Sequence, residues 1–102
     1  MANSYYLYIM TNSWNTVLYT GVTNDPYRRV VEHRTNEKES FTKRYNITKV
    51  VYIEEFASAI EAITAEKRIK GWTRAKKKAL INSVNPGWKD VLDEGDASLR
   101  SA

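Results

Sequence analysis

The chain has 102 residues, 42% of them hydrophobic, and carries a formal net charge of +4 with an isoelectric point near 9.4. This length and apolar content fit one folded domain and exclude a disordered chain or two separate cores. The absence of cysteine excludes disulfides, cysteine-based zinc sites and a thiol nucleophile. The basic balance favours a polyanionic partner such as nucleic acid.

The sequence gives no indication of a membrane-associated protein. Residues 1–12 carry no cationic side chain ahead of their short apolar run, so they do not resemble a signal peptide. No apolar run reaches the roughly 18 residues that a transmembrane helix needs. We therefore expect a cytoplasmic protein with no membrane partner.

The N-terminal part of the chain predicts a β-hairpin. Residues 4–11 are rich in aromatic and aliphatic side chains that alternate between two faces, which is typical of a strand. Residues 12–16 are polar and form a turn. Residues 17–20 then form the second strand of the hairpin.

A helix, a loop and a third strand are predicted next. Asp25 can cap a helix N-terminus, and Pro26 at the first helical position loses no hydrogen bond. The helix runs to about Arg34. Residues 35–46 are polar and mixed in charge, which favours a loop. Residues 48–56 form the third strand.

Two further helices complete the predicted domain. Ser58 and Glu61 form a capping box that opens a helix ending near Trp72. Thr73 can cap a third helix over residues 74–83. The order is β-β-α-β-α-α, so the fold class is α+β, with a small three-stranded antiparallel sheet flanked by helices.

Charge is distributed unevenly along the C-terminal part of the chain. Eight Lys or Arg residues and no acid lie between Lys67 and Lys89, whereas acids predominate in residues 90–102. We expect residues 1–88 to form the domain and residues 89–102 to form an acidic, flexible tail. The basic block is a candidate phosphate-binding surface, and the alternative is a solvated helix face. Its candidate nucleic-acid contacts are Lys67, Arg68, Lys70, Arg74, Lys76, Lys77 and Lys78.

Two hairpin tyrosines form the first candidate constellation. With a turn over residues 12–16, Tyr8 and Tyr19 can lie near each other across the ladder. A phenol beside a cation can accept or donate a proton. The alternative is structural, because tyrosine favours strands and this chain has seven.

The first helix supplies the second constellation. Arg29 and the only histidine, His33, lie four residues apart and share one helix face. Glu32 is within reach of both Arg28 and Arg29, so one arginine can pair locally while the other meets a phosphate. The spacing does not say which one.

Glu66 is the third candidate. It falls inside an apolar helical stripe that includes Ala62, Ile63 and Ile69. A carboxylate on such a face is costly unless it is paired or binds a metal. The alternatives are a pair with a nearby Lys or Arg, or a position at the edge of the stripe that reaches water. Together, the three constellations suit metal-assisted phosphodiester hydrolysis.

These residues resemble the GIY-YIG nuclease domain. Tyr6-Leu7-Tyr8 and Tyr19-Thr20-Gly21 are similar to its two name motifs, with Tyr6 and Thr20 in place of Gly and Ile. The resemblance extends over residues 4–88 and is closest to small single-domain bacterial members. The segments that recur there in this order are residues 41–45, 49–56, 65–81 and 85–88.

The resemblance implies a role for each candidate. Tyr8 would activate the attacking water, as a general base or through the metal, and Tyr19 would orient the water or the scissile phosphate. Arg29 rather than Arg28 would neutralise charge on the transition state. His33 would assist proton transfer or hold a phosphate oxygen. Glu66 would coordinate one Mg²⁺ or Mn²⁺ ion.

Weaker predictions concern four other residues. Asn85 is similar to a late asparagine of the family, and Lys43 is a candidate ancillary contact. Trp72 and Trp88 are expected to pack in the core or between helices rather than stack on bases.

The implied function is a metal-dependent endonuclease acting on DNA, in repair or processing, with RNA as another substrate to consider. The alternatives are a nucleic-acid-binding module that does not cut and a nuclease domain that depends on a partner for targeting. One active site cuts one strand, so a double-strand break would require a homodimer or a second cutting event. Family nucleases usually gain specificity from an attached DNA-binding domain, so a targeting partner protein is the other partner to consider.

Overall fold

The computed structural model describes residues 4–35 and 46–92, without the side chains of residues 32–35. Across these residues every helix is too short or too polar to cross a membrane. The elements in chain order are β1 (Tyr5–Thr11), β2 (Leu18–Thr23), α1 (Pro26–Thr35), β3 (Lys49–Phe56), α2 (Ala59–Lys70) and α3 (Arg74–Val84). The predicted order β-β-α-β-α-α and the α+β class are confirmed.

The three strands form one antiparallel sheet in the order β2-β1-β3. β1 is therefore the central strand, and it pairs with β2 on one side and β3 on the other. The register with β3 shifts between Ile9 and Met10, which marks an irregularity of the β-bulge kind.

β2 is longer than the sequence predicted. We expected the strand to end at Thr20, whereas the ladder continues to Thr23 and pairs Tyr8 with Gly21. The pairing with β1 supplies hydrogen bonds past the glycine, so a residue that locally weakens a strand does not end this one.

Both faces of the central strand are buried. On one face Leu7 and Ile9 pack with α2 and α3, chiefly through Ala65, Ile69 and Ile81. The opposite face holds a second cluster, and its buried members are Tyr8, Met10, Val30, Ile47, Val50 and Leu92. Because α1 contributes Val30 to this second cluster, helices cover the sheet from both sides.

The helix ends are held by the side chains that the sequence indicated. Asp25 accepts a hydrogen bond from the backbone N–H of Arg28 at 3.1 Å, at the start of α1. Ser58 Oγ accepts from Glu61 N, and Thr73 Oγ1 accepts from Lys76 N, both at 3.2 Å. These contacts satisfy N–H groups that the first helical turn leaves without a backbone partner.

The packed chain continues past the boundary that we expected after Trp88. Asp90 Oδ1 accepts hydrogen bonds from Val50 N and Leu92 N, and Val91 N donates to Val50 O at 2.8 Å. Leu92 is buried in the second core cluster. Residues 89–92 are thus joined to β3, and the rest of the expected tail lies outside the described residues.

Candidate active site

The geometry of the site starts from the contact between Tyr8 and Gly21. The two residues are paired across β1 and β2, and the ring of Tyr8 lies over the glycine. A Cβ atom on Gly21 would lie 2.5 Å from Tyr8 Oη and 2.6 Å from its Cζ. Real Cβ contacts are not this short, so a side chain at position 21 would displace the phenol. Gly21 has no positive φ, so the glycine supplies space rather than an unusual backbone conformation.

Tyr19 lies beside Tyr8 on the same face of the sheet. Tyr19 is paired with Met10, which makes it a diagonal neighbour of Tyr8 across the ladder. The two ring centroids are 6.3 Å apart with planes inclined at 38°. The expected proximity of the two hairpin tyrosines is confirmed.

α1 brings an arginine to the Tyr8 hydroxyl. Arg29 Nε donates a hydrogen bond to Tyr8 Oη at 3.1 Å. Arg28 is exposed, and its Nη2 lies 3.4 Å from Asn24 Oδ1. Arg29 is therefore the arginine of this pair that reaches the tyrosines, which the spacing in the sequence left open.

Burial dominates the ionisation of Tyr8. Removal from water raises the pKa of Tyr8 from 10.0 to about 12, because the phenolate loses its hydration. The hydrogen bond and the positive charge of Arg29 lower the pKa, whereas Tyr19 and the Glu66 carboxylate raise it. The phenol is neutral near pH 7, where a pKa of about 12 leaves roughly one molecule in 10⁵ ionised.

α2 carries Glu66 at the edge of its buried face. The Glu66 side chain is 19% exposed, and its Oε2 lies 3.0 Å from Nζ of Lys70 one turn later. The contribution of Glu66 to the pKa of Tyr8 places the carboxylate within electrostatic reach of the phenol. The predicted apolar stripe needs one correction, because Ala65 is buried where Ile63 was expected and Ile63 is 41% exposed.

The donor set suits one kind of metal site. Among the side chains of residues 4–31 and 46–92, no group of three or more His, Cys, Asp or Glu could hold an ion. Magnesium is commonly held by one or two carboxylates, with water and substrate phosphate completing its shell. Glu66 therefore fits as the protein ligand of a Mg²⁺ or Mn²⁺ ion, whereas a closed zinc or calcium site does not fit these residues.

The basic residues of α2 and α3 make different local contacts. Lys70 pairs with Glu66, whereas Arg68, two positions earlier on α2, lines a separate groove with Phe56 and Ile60. Lys76 lies over the ring of Trp72 at 4.5 Å from its centroid. The phosphate-binding surface expected of these residues stays a prediction.

Of the remaining predicted site residues, Asn85 is held by contacts at the end of α3. Asn85 ends α3 and donates from Nδ2 to the carbonyl oxygens of Val51 and Lys89, both at 2.9 Å, while its Oδ1 accepts from Lys89 N. These bonds give Asn85 a structural role. The His33 side chain and all of Lys43 lie outside the described residues.

The expectation for the two C-terminal tryptophans is confirmed. Trp88 is buried, and its Nε1 donates to Asn82 Oδ1 at 2.6 Å. Trp72 is half-buried and packs against the first core cluster. The sequence reasoning missed a third tryptophan, Trp14, which lies exposed in the β1–β2 turn. A tryptophan in an otherwise polar turn is the signal in the sequence that could have marked it as an exposed aromatic residue.

Comparison with known proteins agrees with this geometry. The family model described as the GIY-YIG catalytic domain matches residues 4–79. A UPF0213 protein of Natronomonas pharaonis is 37% identical over 81 residues, which cover 79% of this chain and 94% of the relative. The UPF0213 protein YazA of Bacillus subtilis is 33% identical over 82 residues, covering 78% of this chain and 79% of the relative.

A solved structure has the same fold. The solution NMR structure of the UPF0213 protein BH0048 from Bacillus halodurans superposes with a TM-score of 0.55 at 25% identity. The match covers 90% of this chain and 97% of that one. The strand-borne tyrosines, the helix-borne arginine and the glutamate thus lie in a recognised catalytic domain, and the chain belongs to the GIY-YIG family of nuclease domains.

Proposed function

We propose that the protein is a metal-dependent endonuclease that hydrolyses phosphodiester bonds in DNA, acting in DNA repair or processing. The observation that carries the proposal is the contact of Arg29 Nε with Tyr8 Oη, beside Tyr19 and within electrostatic reach of Glu66. This arrangement gathers a donor for phosphate oxygens, phenols for proton transfer and a carboxylate for a hard cation.

The arginine would bind and neutralise the phosphate. A guanidinium presents planar N–H donors that match phosphate oxygens, and its charge is permanent. The bond from Nε to Tyr8 fixes the plane of the Arg29 group. Arg29 would therefore stabilise negative charge that develops on the non-bridging oxygens as the P–O bond breaks.

Tyr8 would position the attacking water and take its proton. With a pKa of about 12 the phenol cannot do this unaided near neutral pH, so added positive charge must favour the phenolate. The positive charge of Arg29 is already included in that value, so the added charge must come from elsewhere. A divalent cation on Glu66 would supply it, and when bound it would also polarise the phosphate and stabilise the leaving oxygen.

We further propose that a double-strand break requires dimerisation or a second cutting event, and that a partner protein supplies targeting. A nucleic-acid-binding module that does not cut is the alternative, and it would show salt-dependent binding without turnover.

Replacement of Glu66 tests the proposed nuclease. In a cleavage assay with labelled duplex, nicked, branched and single-stranded DNA and RNA, we expect cutting with Mg²⁺ or Mn²⁺ and none with EDTA. Glu66→Gln should lower the rate by about 10²-fold or more, by analogy with the loss of one charge-stabilising group. Binding should persist, because the basic residues remain.

Glu61→Gln is the matched control, since Glu61 lies in the exposed first turn of the same helix. It should cut at the wild-type rate. Equal rates for the Glu66 variant and wild type would contradict the assignment of Glu66, and binding without cutting of any substrate would favour the non-cleaving module.

Replacement of Lys70 tests whether its ammonium competes with the cation. Lys70 is exposed and makes an i,i+4 pair with Glu66, an interaction of roughly 0.3–0.5 kcal/mol for pairs of this kind. Lys70→Met should therefore lower the Mg²⁺ concentration for half-maximal cleavage about 2-fold. Lys67→Met removes an exposed charge from the same helix and should leave that concentration unchanged. An unchanged or higher requirement in Lys70→Met would count against the competition.

Alkaline unfolding tests the burial of Tyr8. The folded-state pKa of about 12 lies above the unfolded value of 10.0, so the unfolded chain loses its proton first as the pH rises. The free energy of unfolding should therefore fall between pH 10 and 12, by at most about 3 kcal/mol from this residue. Tyr8→Phe should flatten the fall, as measured by urea unfolding across that range. An identical pH dependence in the variant would be inconsistent with a buried Tyr8 phenol.

A further inference from the structure

The β1–β2 turn, residues 12–17, is held by an internal hydrogen-bond network. The buried side chain of Asn12 accepts from Thr16 N at 2.8 Å and from Val17 N at 3.3 Å, and it donates to Thr16 Oγ1 at 2.8 Å. Thr11 Oγ1 donates to Val17 O at 2.7 Å, and Asn15 N donates to Asn12 O at 3.0 Å. The shape of this turn is therefore fixed by polar contacts and does not depend on Trp14.

Trp14 projects from the fixed turn with 81% of its surface exposed. A single exposed apolar side chain is common on protein surfaces and means little alone. Trp14 has a second feature, which is the position of cationic side chains beside its turn.

One face of α3 lies against the same turn. Arg74 Nη2 donates to Asn15 O at 3.2 Å, which anchors the first turn of α3 to the residue after Trp14. Lys78 and Asn82 follow Arg74 at spacings of four residues, so the three share a helix face. Lys78 and Asn82 also line a cavity of about 280 Å³ together with Asn15, Pro86, Gly87 and Trp88.

The turn is close to the candidate active site. The β1–β2 ladder ends with the Thr11–Leu18 pair, and Tyr19 is the next residue along β2. Trp14 and Tyr19 are five positions apart in the sequence, which limits their Cα–Cα distance to at most about 18 Å. A nucleic-acid strand bound at the tyrosines can thus reach the turn within a few nucleotides.

We propose that Trp14 is a stacking platform for an unpaired nucleobase within a few nucleotides of the bond to be cut, with Arg74 and Lys78 contacting the flanking phosphates. The proposal rests on the proposed nuclease function and adds a substrate class, a nucleic acid with an unpaired segment. Base–aromatic stacking beside cations is how single strands are commonly held. A continuous duplex presents no free base face, so Trp14 would favour unpaired strands.

The experiment measures binding in EDTA, so its outcome does not depend on cleavage. The probes are fluorescein-labelled 12-nucleotide oligo-dT, oligo-U of the same length, and a 12-base-pair blunt duplex, compared by fluorescence anisotropy. Trp14→Ala should weaken oligo-dT or oligo-U binding by about 5- to 150-fold, as for loss of one stacked base, and leave duplex binding unchanged. Because Trp14 is exposed, circular dichroism should show the wild-type fold.

Trp14→Phe is the matched variant, and it should retain most of the single-strand affinity because it retains an aromatic face. Loss confined to oligo-dT would identify DNA as the ligand, and loss confined to oligo-U would identify RNA. An equal loss on duplex and single strand, or no loss on either single strand, would overturn the stacking platform. If wild type cuts no substrate but Trp14→Ala loses single-strand binding, the nuclease proposal fails and the platform stands.

Discussion

The position of Tyr8 over Gly21 is the constraint on which the candidate site depends. The central strand supplies the tyrosine, and the edge strand supplies a residue without a side chain directly opposite. The ring therefore reaches across β2, where Arg29 Nε meets its hydroxyl and Tyr19 lies alongside. A side chain at position 21 would remove the space in which these groups come together.

Burial orders the Tyr8 ring and also makes its phenolate harder to form. The same packing that fixes the Tyr8 ring raises the pKa of its phenol to about 12, so the isolated protein holds Tyr8 in the neutral form. The charge of Glu66 contributes to that increase, and Glu66 is itself paired with Lys70. A cation that displaced the lysine from Glu66 would reverse the local charge and favour the phenolate. In the proposed mechanism, metal binding at Glu66 would therefore also lower the pKa of Tyr8.

Features set by local chemistry could be predicted from the sequence. Ser58 and Thr73 cap helices because a hydroxyl at that position can accept from the first turn, and this depends only on near neighbours. The approach of Tyr8 and Tyr19 followed from the length of the turn between them. These predictions required no knowledge of what packs on the sheet.

Features set by distant packing could not be predicted. Sequence spacing does not show whether Arg28 or Arg29 contacts Tyr8, because this depends on which side of α1 faces β1. In α2 the buried face passes through Ala65 rather than Ile63, since contact with Leu7 and Ile9 decides it and hydrophobicity does not. The pairing of Lys70 with Glu66, by contrast, follows from the i,i+4 spacing of the two residues on one helix.

The most direct test of the central constraint is the cleavage rate of Gly21→Ala, with Gly87→Ala as the matched control. A Cβ on Gly87 would meet only Lys89 side-chain atoms at 3.6 Å or more, which is ordinary contact. Both variants should be assayed at a temperature where circular dichroism shows them folded. We expect Gly21→Ala to lose about 10²-fold in rate, as for a displaced catalytic group, and Gly87→Ala to match wild type. A folded Gly21→Ala variant that cuts at the wild-type rate would contradict the account.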